Sequence, residues 1–151
     1  EDEMELTVYL AGEIHSDWRK EIMEGAEKEG LPVEFLSPVT DHPASDDVGV
    51  DILGAEESPF WKDHKGAGIN AIRTRTALEQ ADVVVVKFGE KYRQWNAAFD
   101  AGYAAALGTP LIVIHPEEFN HALKEIDGAA NAVCESSAQV VEILKYAAVK
   151  E

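Results

Sequence analysis

Five short apolar segments of strand length recur along the chain, and helical patterns separate them. They lie at residues 6–11, 33–36, 82–88, 111–114 and 132–134. A helix between successive strands forces parallel pairing through a crossover, so this order predicts an α/β fold with a doubly wound parallel sheet. We expect residues 1–151 to form one domain, with helices on both faces of the sheet in three α/β/α layers.

The intervening segments predict helices of ordinary length. Helices are expected from the N-cap residue Ser16 to the stop at Gly30, at about 93–107, at about 119–126 and at 136–148. A further helix is predicted at about 67–80. The residues expected to face inward on it are Ile69, Ile72, Thr76 and Leu78.

The segment from Pro38 to about Lys65 has no sustained hydrophobic period. Pro, Gly, Asp and Ser are scattered through it. We therefore predict a long loop, and a loop of such length in a small domain usually has a functional role.

The charge balance restricts the kinds of partner. The chain has 29 acidic and 13 basic residues, giving a net charge of −16. Such a surface repels phosphate backbones and anionic lipid, so we expect neither nucleic acid nor membrane as a partner.

The apolar runs are far shorter than the roughly 20 residues that span a bilayer. The acidic start at residues 1–3 is unlike a secretory signal, and we expect a cytoplasmic location.

Metal and cofactor sites are not indicated by the residue types. Cys134 is the single cysteine, which excludes an internal disulfide and a thiolate cluster. The five histidines lack any pair at metal-ligand spacing. We expect no metal and no cofactor.

Ligands of open α/β sheets bind beyond the carboxyl ends of the strands, where the winding direction reverses. In the first strand Tyr9 points away from the face that Val8 and Leu10 share, so its hydroxyl is expected under such a pocket. Asp100 lies about one turn into the helix after the third strand, near the positive end of the helix dipole. A carboxylate there can act as a nucleophile or stabilise an oxocarbenium ion. A surface acid that helps the helix to start is the other interpretation.

Three stretches carry a family resemblance. They are Tyr-Leu-Ala-Gly at 9–12, Ala-Asp-Val-Val-Val-Val at 81–86, and Asp-Ala-Gly-Tyr-Ala-x-Ala-x-Gly-x-Pro at 100–110. These stretches resemble the nucleoside 2-deoxyribosyltransferase superfamily. Tyr-Leu-Ala-Gly-Glu-Ile-His, Phe-Gly-Glu-Lys-Tyr and Gln-Trp-Asn are similar to its YtoQ-type branch.

The resemblance implies a flavodoxin-like five-stranded sheet of order 2-1-3-4-5. It implies cleavage of the N-glycosidic bond of a 2-deoxynucleoside or its monophosphate, with deoxyribose passed to another base or to water. The family's nucleophilic Glu falls on Asp100, and the family's Tyr falls on Tyr9. Homo-oligomers in which a neighbour completes the pocket are frequent in the superfamily, so a homo-oligomer is expected.

The chain departs from the family pattern at several positions. Asp100 is one methylene shorter than the family's Glu, and two further family acids fall near Thr74 and Gln94. Glu13 and His15 stand where the family usually has Pro and a hydrophobic residue. These two are candidate replacement acid/base groups, because carboxyl and imidazole groups exchange protons readily.

The remaining candidate residues would contact the ligand. Trp95 can stack on a base, and Asn96 can hydrogen-bond to base or sugar. A phosphate can be bound by Arg73, Arg75, Lys91 or Arg93. Packing of Trp95 in a lid, and pairing of the arginines with the many acids, are the other interpretations. The other ligand-binding candidates are Gly12, Gly89, Gln94 and His115. Together they predict an enzyme that cleaves or transfers at a nucleoside or nucleotide. A non-catalytic nucleotide-binding protein and an assembly module with a vestigial pocket remain the alternatives.

Overall fold

The computed structural model describes residues 4–149, and it contains one five-stranded parallel sheet. The elements in chain order are β1 (Leu6–Gly12), α1 (Trp18–Lys28), β2 (Val33–Leu36), α2 (His42–Leu53), α3 (Pro59–Gln80), β3 (Val83–Lys87), α4 (Trp95–Leu107), β4 (Leu111–Ile114), α5 (Lys124–Ala129), β5 (Ala132–Cys134) and α6 (Ser137–Ala147). A 3₁₀ turn covers Glu117–Phe119.

The strand order is β2-β1-β3-β4-β5, with every neighbouring pair parallel. This confirms the predicted doubly wound, flavodoxin-like sheet. The winding direction reverses between β1 and β3, where Tyr9 is aligned with Val84 and Gly12 with Lys87. The carboxyl ends of these two strands therefore lie side by side at the switch point.

Two hydrophobic cores cover the two faces of the sheet. Val8 and Leu10 of β1 pack in one core with apolar residues of α1 and α6. Tyr9 and Ala11 pack in the other, with α3 and α4. Because side chains alternate along a strand, one run of apolar residues serves both cores. The predicted orientation of Tyr9, opposite to Val8 and Leu10, is confirmed.

The prediction of a loop from Pro38 to Lys65 is wrong. Most of the segment is helical, because α2 occupies its middle and α3 begins at Pro59. Asp41 caps α2 by accepting a hydrogen bond from the Ala44 amide at 3.2 Å, and Pro43 stands in the first turn.

The helices α2 and α3 pack through a close approach of their backbones and not through a row of apolar side chains. A Cβ on Gly49 would lie 2.8 Å from the backbone nitrogen of Gly66, so the two helices meet at glycine. Asn70 donates to the Ser45 carbonyl at 2.9 Å across the same contact. Such packing leaves no 3.6-residue hydrophobic period for a sequence pattern to detect.

Other boundaries differ by less. The predicted inward stripe of α3 holds for Leu78, which is fully buried, but Ile72 is 70% exposed and Thr76 is also exposed. The helix expected near 119–126 begins at Lys124, after the 3₁₀ turn. Asp17 takes the N-cap position of α1 that was predicted for Ser16. Within residues 4–149, no helix has the length and apolar character needed to cross a membrane.

Candidate active site

A cavity of about 980 Å³ opens at the carboxyl ends of β1 and β3. Its floor is formed by the end of β1 and the first turns of α4, and its walls by the β1–α1 loop, α2 and α3. Its position is the switch point of the sheet, where the fold predicts ligand binding.

Asp100 lies on this floor, on the second turn of α4. Its side chain is 8% exposed, and no hydrogen bond or ion pair to its carboxylate occurs among the described residues. Burial raises the pKa of Asp100 from 3.8 to about 6. The negative charge of this carboxylate is therefore not balanced by a described side chain, and it is available to positive charge on a ligand.

Tyr9 lies in the same cavity and is fully buried. Its hydroxyl has no hydrogen-bond partner within residues 4–149. Burial, with the charge of Asp100 as a second cause, raises the pKa of Tyr9 to about 12, so the phenol stays neutral. Thr74 lies near the hydroxyl and lowers this pKa in part, but the two side chains do not form a hydrogen bond. Tyr9 therefore keeps one O–H donor available.

The β1–α1 loop folds back on the Glu13 carboxylate. This carboxylate accepts hydrogen bonds from the His15 amide and the Ser16 hydroxyl, and the Glu13 amide donates to the Lys87 carbonyl at 3.0 Å. Glu13 is only 5% exposed, whereas His15 is exposed, with its ring 4.7 Å from the ring of Tyr92. Glu13 thus holds the loop, and His15 is the accessible group on it.

Arg19, which sequence reasoning missed, holds the loop from below. Its guanidinium donates to the carbonyls of Leu10 at 3.0 Å, Gly12 at 3.2 Å and Glu13, and lies 4.6 Å from the Trp18 ring centroid. Burial lowers the pKa of Arg19 to about 10. An Arg in the first turn of an amphipathic helix is ordinarily solvated, so the sequence carried no signal for this role.

Two glycines allow the strand ends to approach each other. Gly12 has φ 105°, and a Cβ there would lie 2.2 Å from the Lys87 carbonyl oxygen. A Cβ on Gly89 would lie 2.5 Å from Cγ of Glu13. The Gly89 amide donates to the side-chain oxygen of Gln94 at 2.9 Å, which connects the end of β3 to the start of α4.

The cavity brings together most of the predicted residues and separates the others. Those that line it are Tyr9, Gly12, Glu13, His15, Arg73, Gln94, Asn96 and Asp100. Gly89 and His115 line a second cavity of about 420 Å³, which Glu13 and His15 also border. Trp95 is 75% exposed and outside both linings.

His115 is buried against α5 instead of facing the larger cavity. Its Nε2 lies 2.8 Å from an Asp127 carboxylate oxygen, and its Nδ1 lies 2.7 Å from the Pro116 carbonyl oxygen. Both ring nitrogens are therefore occupied by protein atoms.

The α2–α3 wall adds residues that the sequence reasoning did not assign. His42, Ser45 and Asp46 come from α2, and His64 and Asn70 from α3. His42, Ser45, Asp46 and His64 were missed because their segment was predicted to be a loop, and Asn70 was missed although it lies in the predicted helix at 67–80. Across residues 4–149, no group of three or more His, Cys, Asp or Glu side chains is placed to hold a metal ion.

Known proteins show where this chain belongs. A family model described as Nucleoside 2-deoxyribosyltransferase YtoQ matches residues 9–148. The uncharacterized protein YtoQ of Bacillus subtilis (strain 168) is 47% identical over 143 residues, which cover 95% of this chain and 97% of that protein.

Two solved structures share the fold. A conserved protein from Enterococcus faecalis V583 has a TM-score of 0.64 at 14% identity, covering 95% of this chain and 99% of that one. The 2-deoxyribosyltransferase of the psychrotolerant Bacillus psychrosaccharolyticus has a TM-score of 0.56 at 16% identity, covering 89% and 90%. On the family match and the 47% identity, the chain belongs to the nucleoside 2-deoxyribosyltransferase YtoQ family.

Proposed function

We propose that this protein cleaves the N-glycosidic bond of a nucleoside or nucleotide and passes the sugar to water or to another base. The observation that carries the proposal is Asp100, a buried carboxylate that has no partner among residues 4–149 and lies on the floor of a large cavity. Burying an unpaired carboxylate lowers the stability of the fold. Positive charge that develops on a ligand in the cavity would stabilise this carboxylate. Membership of the family and the fold shared with a 2-deoxyribosyltransferase support the same chemistry.

Asp100 is proposed to react with the anomeric carbon, or to stabilise its oxocarbenium ion, as the glycosidic bond breaks. With a pKa of about 6, roughly nine in ten Asp100 side chains are ionised at pH 7. Tyr9 is proposed to donate its hydroxyl hydrogen to Asp100 or to the sugar, since that donor is neutral and unused.

The departing base needs a proton, and His15 is the better candidate to supply it. It is exposed on the cavity wall, whereas the Glu13 carboxylate is engaged by the amide and hydroxyl of its own loop. We therefore propose His15 as the acid/base group and Glu13 as the residue that positions it.

Chromatographic detection of free base tests the proposal. The wild type is incubated with a panel of ribo- and deoxyribonucleosides and their 5′-monophosphates, beside D100A, Y9F and the exposed-acid control D63N. We expect base release by the wild type and D63N, none by D100A, and a rate lowered about tenfold or more in Y9F. Equal release by D100A would overturn the role of Asp100.

A binding protein remains the second candidate. Gln94 lies near a position where the resemblance implies a family acid, and its neutral side chain accepts a hydrogen bond from the Gly89 amide. On that hypothesis one ligand raises the thermal midpoint of both wild type and D100A, and no base is released by either.

Self-association is proposed as well. Ile72, Trp95 and Phe99 are apolar, lie on α3 and α4 near the cavity, and are 60–75% exposed. Light scattering coupled to size exclusion would test this, and a monomer at all concentrations would contradict it.

A further inference from the structure

The cavity wall carries three arginines that have no partner within residues 4–149. Arg73 and Arg75 of α3 and Arg93 of the loop before α4 all line it. None of them takes part in an ion pair or donates a hydrogen bond among the described residues, although acidic residues outnumber basic ones 29 to 13. By contrast, Lys20, Lys62, Lys65 and Lys145 each pair with a carboxylate.

Three acids that line the cavity or follow the arginines on α3 are engaged by other groups. Glu13 is held by its own loop, and Asp46 pairs with His42 at 3.1 Å. Glu79 follows Arg75 by one helical turn, but its carboxylate accepts the Tyr103 hydroxyl at 3.0 Å. Apart from Asp100 on the floor, the acids among the described lining residues are thus engaged by other groups, so the three arginines are available to an anion.

Arg73 differs from Arg75 in the tyrosine on which its charge acts. Arg73 is close enough to the Tyr9 hydroxyl to act on its pKa, whereas the charge of Arg75 acts on Tyr103. Arg73 and Arg75 of α3 and Arg93 of the loop before α4 line the same cavity as Tyr9 and Asp100. This arrangement suits a ligand whose neutral part lies over Asp100 and whose anionic part lies at the wall.

We infer that Arg73, Arg75 and Arg93 form an anion subsite that takes the phosphate of a nucleoside 5′-monophosphate. Guanidinium groups bind phosphate oxygens in bidentate geometry, and a phosphate monoester carries nearly two negative charges at neutral pH. The cavity volume of about 980 Å³ is at the upper end for small-molecule sites, which leaves room for a phosphate beyond the sugar. A nucleic acid strand would meet the acidic surface outside the cavity, so a free nucleotide fits better.

The inference rests on the proposed function for the nucleoside part of the ligand, and a binding experiment separates the two. Calorimetric affinities for nucleosides and their 5′-monophosphates, ribo and deoxyribo, are measured at low and high salt in D100N, which removes turnover. R73Q, R75Q and R93Q are each combined with D100N. The control K145Q in the same background removes one charge from α6, on the opposite face of the sheet.

We expect the monophosphate to bind more tightly than its nucleoside, with an advantage that shrinks as salt rises. Each Arg substitution should weaken monophosphate binding roughly 10- to 100-fold and leave the nucleoside within about twofold, while K145Q changes neither. Arg73→Lys, which keeps the charge but loses the bidentate fork, should recover part of the affinity.

Equal affinity for nucleoside and monophosphate would overturn the inference, as would Arg substitutions that weaken both alike or binding of neither. Base release from nucleosides with no preference for monophosphates would leave the proposed function standing and refute the anion subsite. A monophosphate preference that depends on the arginines, without base release by the wild type, would do the reverse.

Discussion

Asp100→Asn should stabilise the protein at neutral pH while removing the proposed activity. Burial holds the pKa of Asp100 at about 6, against 3.8 for the unfolded chain. A rise of roughly two pH units corresponds to about 3 kcal/mol, at roughly 1.4 kcal/mol per unit. The folded state binds this proton more tightly than the unfolded state, so the stability due to Asp100 is full below pH 3.8 and is lost as pH rises through about 6.

The neutral amide of asparagine avoids the cost of the buried charge but must itself be buried. We therefore expect a gain of about 1–3 kcal/mol at pH 7, below the full electrostatic value. The gain should shrink steadily from pH 7 to pH 4, because the wild-type carboxyl becomes protonated over that interval.

Urea unfolding at several pH values, followed by circular dichroism, measures this gain. D63N is the matched control, since Asp63 is an exposed acid on α3, and it should change the free energy of unfolding by less than about 0.5 kcal/mol at every pH. A D100N variant that is less stable than wild type at pH 7, or a difference independent of pH, would refute the reasoning.

Three further outcomes follow from the same contacts. Base release should fall about tenfold for each pH unit below about 6, because Asp100 must be ionised to react, and a pH profile of kcat/KM checks this. R19M should lower the free energy of unfolding by about 1–3 kcal/mol in urea titration: three carbonyls lose their donor, and removal of a buried charge offsets only part of the loss. G49A should cost about 1–3 kcal/mol in thermal unfolding, because its Cβ would meet Gly66 at 2.8 Å, whereas G68A on α3, with nothing within 4 Å, should be neutral or stabilising.

The sheet could be predicted because its signal is local and repeated. Each strand is a short apolar run, and Gly108, in the left-handed conformation after α4, marks the end of the clearest helix. The alternation that directs Tyr9 to one face and Leu10 to the other follows from strand geometry alone. Predicting Tyr9 and Asp100 at one edge needed only the parallel order of β1 and β3.

The α2–α3 pair could not be predicted in the same way. Its contact is between Gly49 and Gly66, and it leaves Ile52 and Phe60 more than half exposed. Arg19 was missed for a related reason: its partners are backbone carbonyls, which every residue carries. Neither the helix contact nor the Arg19 contacts produce a periodic pattern of apolar residues in the sequence.

The two parts of the site therefore depend on different physical constraints. Tyr9 is fixed by the buried strand β1, and Asp100 by the first turns of α4. A shift of one residue in either element would turn the side chain away from the cavity. The wall that carries Arg73 and Arg75 depends on a helix pair joined by the approach of Gly49 to Gly66, the Asn70–Ser45 hydrogen bond and the exposed ion pair of Lys62 with Asp47. Substitutions in that wall can change the shape and charge of the cavity without disturbing the sheet. We therefore expect relatives of this fold to differ in ligand preference mainly through the α2–α3 wall, while the floor sets the reaction.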